Sequence, residues 1–350
     1  MRLWGKQAAT ARTGLIVVGI VVSAVFMYIA VRGAHPGDTI DALGDTNWAW
    51  LVPSLALLGL AFFLRCIRWH SLFHRGVRPP LADVVSAQFV GYVANAILPV
   101  RAGEAAAIVT LNRRARTPIA EGTATVFVQR AEDVLSLVLL LFLMLPWLPQ
   151  VSWLRAAGVV ALALLAVLAV VAATILRFGD RSIGFLMRPL RWLPFISADA
   201  LARAPSEFIR GLAGLLTPRI ALVSFAWTTL SWIVLGLGFW LLSIGSGIEV
   251  SPLAGLLVVI AIGLAMILPS SPAALGVFEG ATVVALSAYG VADSVALSYA
   301  FVLHALNVLP LLLVAAGLIV ARRLRGEGAS APVLTEAVLD PVRLSGQRRN

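Results

Sequence analysis

The stretch QFVGYVANAILPVRAGE, residues 88–104, climbs through Phe89 and Tyr92 to Asn95, breaks at Pro99, and then presents Arg101, Gly103 and Glu104. A second stretch of the same build, MILPSSPAALGVFE at 266–279, breaks at Pro269, turns at Gly276 and again ends on an acid, Glu279. Broken apolar segments in corresponding halves of a chain mark the substrate region of a membrane transporter, where interrupted helices offer free backbone groups to a ligand. Such backbone survives at membrane depth only where protein or a water-filled cavity covers it.

The surrounding composition agrees with a membrane setting. Of 350 residues, 60% are hydrophobic and 13% charged, with a mean hydropathy of +0.94, whereas soluble domains carry about 25% charged residues. Several apolar runs reach the roughly 20 residues that cross the hydrocarbon core. A formal charge of +10 would point to nucleic acid in a soluble chain. Here the basic residues flank apolar runs, so they report cytoplasmic orientation and contact with anionic headgroups, and no nucleic acid partner is expected. Cys66 is the single cysteine, which excludes an internal disulfide and a thiolate cluster. The four histidines are not read as a metal site, and neither a nucleotide-binding loop nor a nucleophile triad occurs. No cofactor, metal site or catalytic residue is therefore assigned.

Outward from the first stretch, basic clusters set the topology. Arg75 and Arg78 precede it and Arg113, Arg114 and Arg116 follow, so the positive-inside preference puts both ends on the cytoplasmic side. Segments 81–98 and 101–111 then read as a re-entrant hairpin with its tip near 99–103. Upstream, Arg2, Lys6 and Arg12 lead into 15–31, which lacks a convincing cleavage site and reads as a retained span rather than a signal peptide. An acidic linker, 32–47, leads to a second span at 50–67, opened by Trp48 and Trp50. Downstream lie spans at 123–145 and 154–176, joined by an uncharged turn with Trp147 and Trp153. The basic stretch 177–219 reads either as a plain cytoplasmic linker or as carrying an amphipathic surface helix through Phe208, Leu212, Leu215 and Leu216. A span at 220–242 follows. Segments 252–268 and 278–289, flanked by Glu249 and Asp293, form a second hairpin on the outer side, and a last span covers 295–320.

The expected fold is thus an all-α polytopic membrane protein, an inverted-topology repeat with two re-entrant helical hairpins. A single membrane domain spans 1–320, its halves at about 14–145 and 154–320, followed by a flexible tail at 321–350. Both termini are cytoplasmic and the compartment is the cytoplasmic (inner) membrane. If each hairpin were instead a full pair of crossings, eight spans would result with the same end orientations.

Charges at membrane depth line cavities or pair with one another. Arg101 can hold a phosphate or carboxylate, aided by backbone N–H groups at a helix start, or can be an ordinary interfacial residue. Glu104, three positions on, can orient Arg101, bind a cationic headgroup or carry a proton. Arg130 and Asp133 share a helical face and can lock the hairpin through Glu104 to Arg130 and Arg101 to Asp133 pairs, or simply hold the bundle. Asn95 can bridge the broken backbone, contact a headgroup or act as helix glue. Glu279 suits a helix N-terminus. His304 can relay a proton or pack as a core residue beside Asn307. Arg65 and Arg68 are expected to snorkel at the inner interface.

RCIRWHSLF at 65–73, GYVANAILPVRAGEAA at 91–106, ATVFVQRAEDVL at 124–135 and ILPSSPAALGVFEGA at 267–281 together resemble the membrane region of lysylphosphatidylglycerol synthases. They also resemble a related stand-alone, flippase-like family of polytopic membrane proteins that has an archaeal dolichyl-phosphate glycosyltransferase-like member. The likeness runs from about residue 50 to 318. Asn95, Pro99, Arg101, Gly103, Glu104, Arg130, Asp133, Pro269, Gly276 and Glu279 fall on its blocks, and Gln129 departs from the ERxxD pattern common there. The resemblance implies flipping of aminoacylated phospholipid, with lysyl transfer assigned to a separate soluble domain for which the polar connections of this chain are too small. The expected function is translocation of a phospholipid or a polyprenyl-phosphate-linked lipid, with an anionic or aminoacylated membrane lipid as partner. The alternatives are a membrane-embedded transferase using a polyprenyl-phosphate-linked donor, and a noncatalytic partner of a lipid-modifying enzyme.

Overall fold

Proline and glycine placement sets most helix boundaries. The computed structural model describes residues 2–73, 76, 78–98, 102–178 and 217–325. Pro99 and Arg101, linker residues 179–216 and tail residues 326–350 lie outside the described residues. What is described is helical throughout: α1 (Arg2–Val31), α2 (Pro36–Gly44), α3 (Leu51–Leu72), α4 (Leu81–Ile97), α5 (Gly103–Ala115), α6 (Ile119–Met144), α7 (Ser152–Phe178), α8 (Pro218–Gly245), α9 (Pro252–Ala265), α10 (Val277–Ser287) and α11 (Asp293–Leu324), with short 3-10 turns at Trp48–Trp50, Leu145–Trp147 and Pro272–Ala274. Prolines open α2, α8 and α9, where the missing N–H has no partner to lose.

Among the described residues, three segments are long and apolar enough to cross a membrane: Trp48–Leu72, Pro218–Gly245 and Asp293–Ala321. A fourth results if Val17–Val31 and Pro36–Gly44, bent by 80° at their junction, count as one. The protein is therefore an all-α polytopic membrane protein, with fewer plainly apolar spans than the six expected. The reasons are local. At 26 residues, α6 is about 39 Å long, but Arg130, Glu132 and Asp133 interrupt its apolar character. Helix α7 runs for 27 residues, Ser152–Phe178, and holds the apolar segment Ala156–Val167. The linker at 32–47 holds a helix, α2, lying across the end of α1.

The helices of the two broken segments, α4, α5, α9 and α10, are each too short to cross alone. At 13 and 11 residues, α5 and α10 extend only about 20 and 16 Å, against a hydrocarbon core of about 30 Å. Each packs against the helix before it, α5 on α4 and α10 on α9. The α4 and α5 pair is antiparallel, because Asp83 meets Arg114 at 2.8 Å near one end and Asn95 meets Gly103 at 2.8 Å near the other.

The frame behind these pairs is built on α3 and α8, which pack extensively on each other. Gly238 lets α8 lie close over Ser54, Leu57 and Leu58, the small-residue contact typical of helices in lipid. The main core gathers α6, α8, α9, α10 and α11 around Leu141, Leu242, Leu257, Ile260, Leu286 and Leu303. At the second break, Ala273 and Ala274 take left-handed φ values of 54° and 58°, and Gly276 takes 87°. A side chain at Gly276 would strike the Ser23 carbonyl of α1. Ser23 also accepts a hydrogen bond through its hydroxyl from the Ser271 N–H at 2.9 Å, so α1 braces the broken segment on one side. The Pro272–Ala274 turn packs on α4 on another, which sets the second break beside the first helix pair.

Candidate functional site

The start of α5 is fixed by its neighbour. Gly103 approaches α4 so closely that a Cβ there would collide with the Gly91 carbonyl and the Asn95 side chain. Its N–H, free at a helix start, donates to Asn95 Oδ1. This contact puts Glu104 in the first turn of α5, facing α6. Glu104 Oε1 lies 3.4 Å from Arg130 Nη2, and Arg130 Nη1 lies 3.4 Å from Asp133 Oδ2. Arg130 and Asp133 meet because residues three apart on a helix share a face.

The chain of charge continues inward. Asp133 Oδ1 accepts from Arg68 Nη1 at 2.5 Å and from the Trp232 indole N–H at 3.3 Å. Arg68 Nη2 donates to Gln129 Oε1 at 2.7 Å. Side-chain exposure falls along this path from 50% at Arg130 and 25% at Glu104 to 10% at Asp133 and 2% at Arg68. One end is therefore open to exchange partners and the other is locked. Glu132 faces away toward α8, where Ser224 and Thr228 hydroxyls donate to Oε2 at 2.8 and 3.1 Å. Trp69 closes the region by donating to Thr125 Oγ1 at 3.0 Å.

Arg68 does not snorkel. It is buried because α6 offers it two acceptors, Asp133 and Gln129, that the sequence places far away. Arg65 is likewise drawn inward: Nη1 donates to the Tyr92 hydroxyl at 3.1 Å, and the guanidinium sits 4.2 Å from the centre of the Trp232 ring. At position 129, the amide serves Arg68 as a neutral acceptor where the resemblance would put a carboxylate.

A small cleft opens beside this network. Trp69, Gln88, Gly91, Tyr92, Asn95, Gly103, Glu104, Gln129 and Arg130 are among the residues that line it. Its volume is about 20 Å³, room for about one water molecule. Anything larger than a water molecule enters this arrangement only if α5 or its neighbours move.

Glu279, Gly276 and His304 form a second cluster at the other break. Glu279 Oε2 accepts from the Gly276 N–H at 2.7 Å and so caps α10. Its Oε1 lies 2.5 Å from His304 Nδ1, and His304 Nε2 lies 3.0 Å from the Ala273 carbonyl. A carbonyl only accepts, so Nε2 carries hydrogen, and one further proton is shared between Nδ1 and Oε1. Phe278 stacks on the imidazole at 4.6 Å, while Asn307 bonds to its own helix at Leu303. Asn95, Gly103, Glu104, Arg130 and Asp133 thus share one site; Pro269 lies in the chain between α9 and the Pro272–Ala274 turn. Sequence reasoning assigned no site role to Arg65, Arg68, Tyr92, Trp232, Ser224 or Thr228; the spacing of Arg65 and Arg68, three apart on one apolar helix, is the signal that could have found two of them. Among the described residues, no three His, Cys, Asp or Glu side chains gather to hold a metal ion.

A family model described as the lysylphosphatidylglycerol synthase TM region matches residues 16–315. Among curated proteins, the glycosyltransferase AglD of Haloferax volcanii is 24% identical over 141 residues, covering 39% of this chain. The match takes in 23% of that relative, so the chain spans less than a quarter of its length. No solved structure matches the chain.

Proposed function

This chain belongs to the family defined by the lysylphosphatidylglycerol synthase TM region, and from that premise we propose that it translocates a phospholipid or a polyprenyl-phosphate-linked lipid across the cytoplasmic membrane. The headgroup passes through the cleft while the tails stay in the bilayer. The observation that carries the reading is the row Glu104, Arg130, Asp133, Arg68, with its outer members reachable and its inner members buried. A phosphate replaces Glu104 as the partner of Arg130, and an amine on the headgroup replaces Arg130 as the partner of Glu104. Either exchange keeps each charge paired, which is what makes charge tolerable at membrane depth. Arg101, two positions before the first residue of α5 in the sequence, adds a further positive charge to this stretch.

In this reading, α4 with α5 and α9 with α10 are re-entrant hairpins of an inverted repeat, entering from opposite faces, with both chain termini cytoplasmic. Their short lengths and the packing of the Pro272–Ala274 turn on α4 support the arrangement. Glu279 and His304 latch the second hairpin and supply a transferable proton.

The test is translocation in proteoliposomes, reading leaflet position and lipid mass together. Wild type is expected to move an anionic or aminoacylated phospholipid without changing its mass, and Glu104→Gln and Arg130→Gln to slow it at least tenfold while remaining folded. Wild-type rates in both variants would sink the assignment. A rival reading, group transfer from a polyprenyl-phosphate-linked donor, takes its support from the name of the archaeal relative. It requires a carboxylate free to act as a base, whereas Glu104 and Asp133 are each held by arginine. A new covalent product made by the purified chain would favour it.

A further inference from the structure

Three buried donors remain unused in the site. Arg65 Nε, Arg65 Nη2 and Arg68 Nε have neither a hydrogen-bond partner nor contact with solvent. Native proteins pair almost all such groups, and a buried donor without an acceptor carries its full desolvation cost. Here the three come from two residues spaced three apart, hence from one face of α3. Arg68 is immobilised by Asp133 and Gln129 through both terminal nitrogens, which leaves Nε as its one nitrogen without a partner. Arg65 is held by a phenol and by an indole face rather than by a carboxylate. The Tyr92 ring that holds it lines the cleft, and Phe62 packs edge-on against that ring at 5.5 Å.

We propose that Arg65 and Arg68 form a receptor for a phosphate monoanion of the diester type, closed off from the cleft by Tyr92 and set behind the Glu104 and Arg130 pair. The planar fork of Arg65 presents Nε–H and Nη2–H side by side, matching two non-bridging phosphate oxygens. The Trp232 face beneath it excludes water and holds the fork flat. Entry of the anion requires the ring of Tyr92 to turn away from α3, so the receptor fills after the headgroup has crossed the outer ion pairs. This inference rests on the translocation reading for its ligand, but its test does not use transport.

Retention of ligand by the purified full chain is measured by native mass spectrometry, comparing short-chain phosphatidylglycerol with diacylglycerol of the same tails. Wild type is expected to keep the phosphatidylglycerol and lose the diacylglycerol. Arg65→Gln is expected to weaken retention at least tenfold, with Arg65→Lys between the two because it keeps charge but not the fork. Tyr92→Phe releases Nη1 of Arg65, so retention stays equal or tightens, whereas a purely structural role for Arg65 and Tyr92 predicts loss in both. Displacement by millimolar inorganic phosphate assigns the receptor to the free anion as well; resistance assigns it to the lipid headgroup alone. Equal retention of diacylglycerol, or wild-type retention of phosphatidylglycerol by folded Arg65→Gln, overturns the proposal. If Arg65→Gln does not fold, Arg65→Lys and Tyr92→Phe decide it, and weakened retention in Tyr92→Phe overturns it. Transport without Arg65-dependent retention would leave translocation standing and remove the receptor, and retention without transport would do the reverse.

Discussion

Arg68 and Arg130 sit on either side of Asp133 and bear different loads. Arg68 is buried, and its loss leaves a carboxylate in an apolar interior, a change that costs about 3–5 kcal/mol where a buried pair is broken. Arg68→Leu is therefore expected to lower the melting temperature of the detergent-solubilised protein sharply. Adding Asp133→Asn should recover part of the loss, a coupling that a thermal-shift double-mutant cycle reads directly. Arg130 is half exposed and its contacts are long, so Glu104→Gln is expected to cost less than about 1 kcal/mol while slowing translocation. If instead both variants lost stability equally, the outer pair would be structural and the gradient of exposure would carry no functional meaning. The pairing of Arg130 with Asp133 and with Glu104 was legible from helical spacing and from the hairpin. The role of Arg68 was not, because its acceptors lie 61 and 65 positions away and a basic residue about 6 Å from a helix end ordinarily reaches for the interface.

At the scale of elements, the hairpin start depends on one side chain and one absent side chain. Asn95→Ala removes the acceptor of the Gly103 N–H, leaving a donor unpaired at a cost of about 1–3 kcal/mol. Gly103→Ala pushes the new methyl into the Gly91 carbonyl. Both are expected to speed amide exchange in the first turn of α5 while α3 and α8 keep wild-type protection; uniform loss of protection would show that the pair α4 and α5 is not a separable unit. The breaks between α4 and α5 and around Pro269 were legible because proline and glycine punctuate apolar runs in a way no spacing argument can hide. The 80° bend between α1 and α2 was not, since a short stretch with three aspartates reads as a loop until its packing on α11 is known. The charges within α6 were visible, yet their consequence, a helix long enough to span but not plainly apolar, follows only from the partners that α3 and α8 supply.

For the whole molecule, the open issue between two re-entrant hairpins and two full pairs of crossings turns on depth, because both keep the same ends on the same faces. The lengths favour the hairpins: α5 and α10 fall about 10 Å or more short of the hydrocarbon thickness. The comparison calls for probes at the two tips in a Cys66→Ala background, Cys66 itself being buried. Nitroxides on Ala102→Cys and Ser270→Cys, measured by collisional accessibility to oxygen and to a polar relaxer, report depth independently of any lipid substrate. In the inverted repeat both tips lie near the midplane, about 15 Å from either edge of the hydrocarbon core, shielded from lipid by α1 and α4 and reached by the polar reagent through the cleft. In the eight-span arrangement each tip emerges at an aqueous face, and a membrane-impermeant maleimide labels Ala102→Cys from the outside as fast as it labels Glu249→Cys. Slow labelling of Ala102→Cys from outside, together with midplane depth at both positions, is the expected result, because only that geometry brings the two broken segments together around a single path for the headgroup.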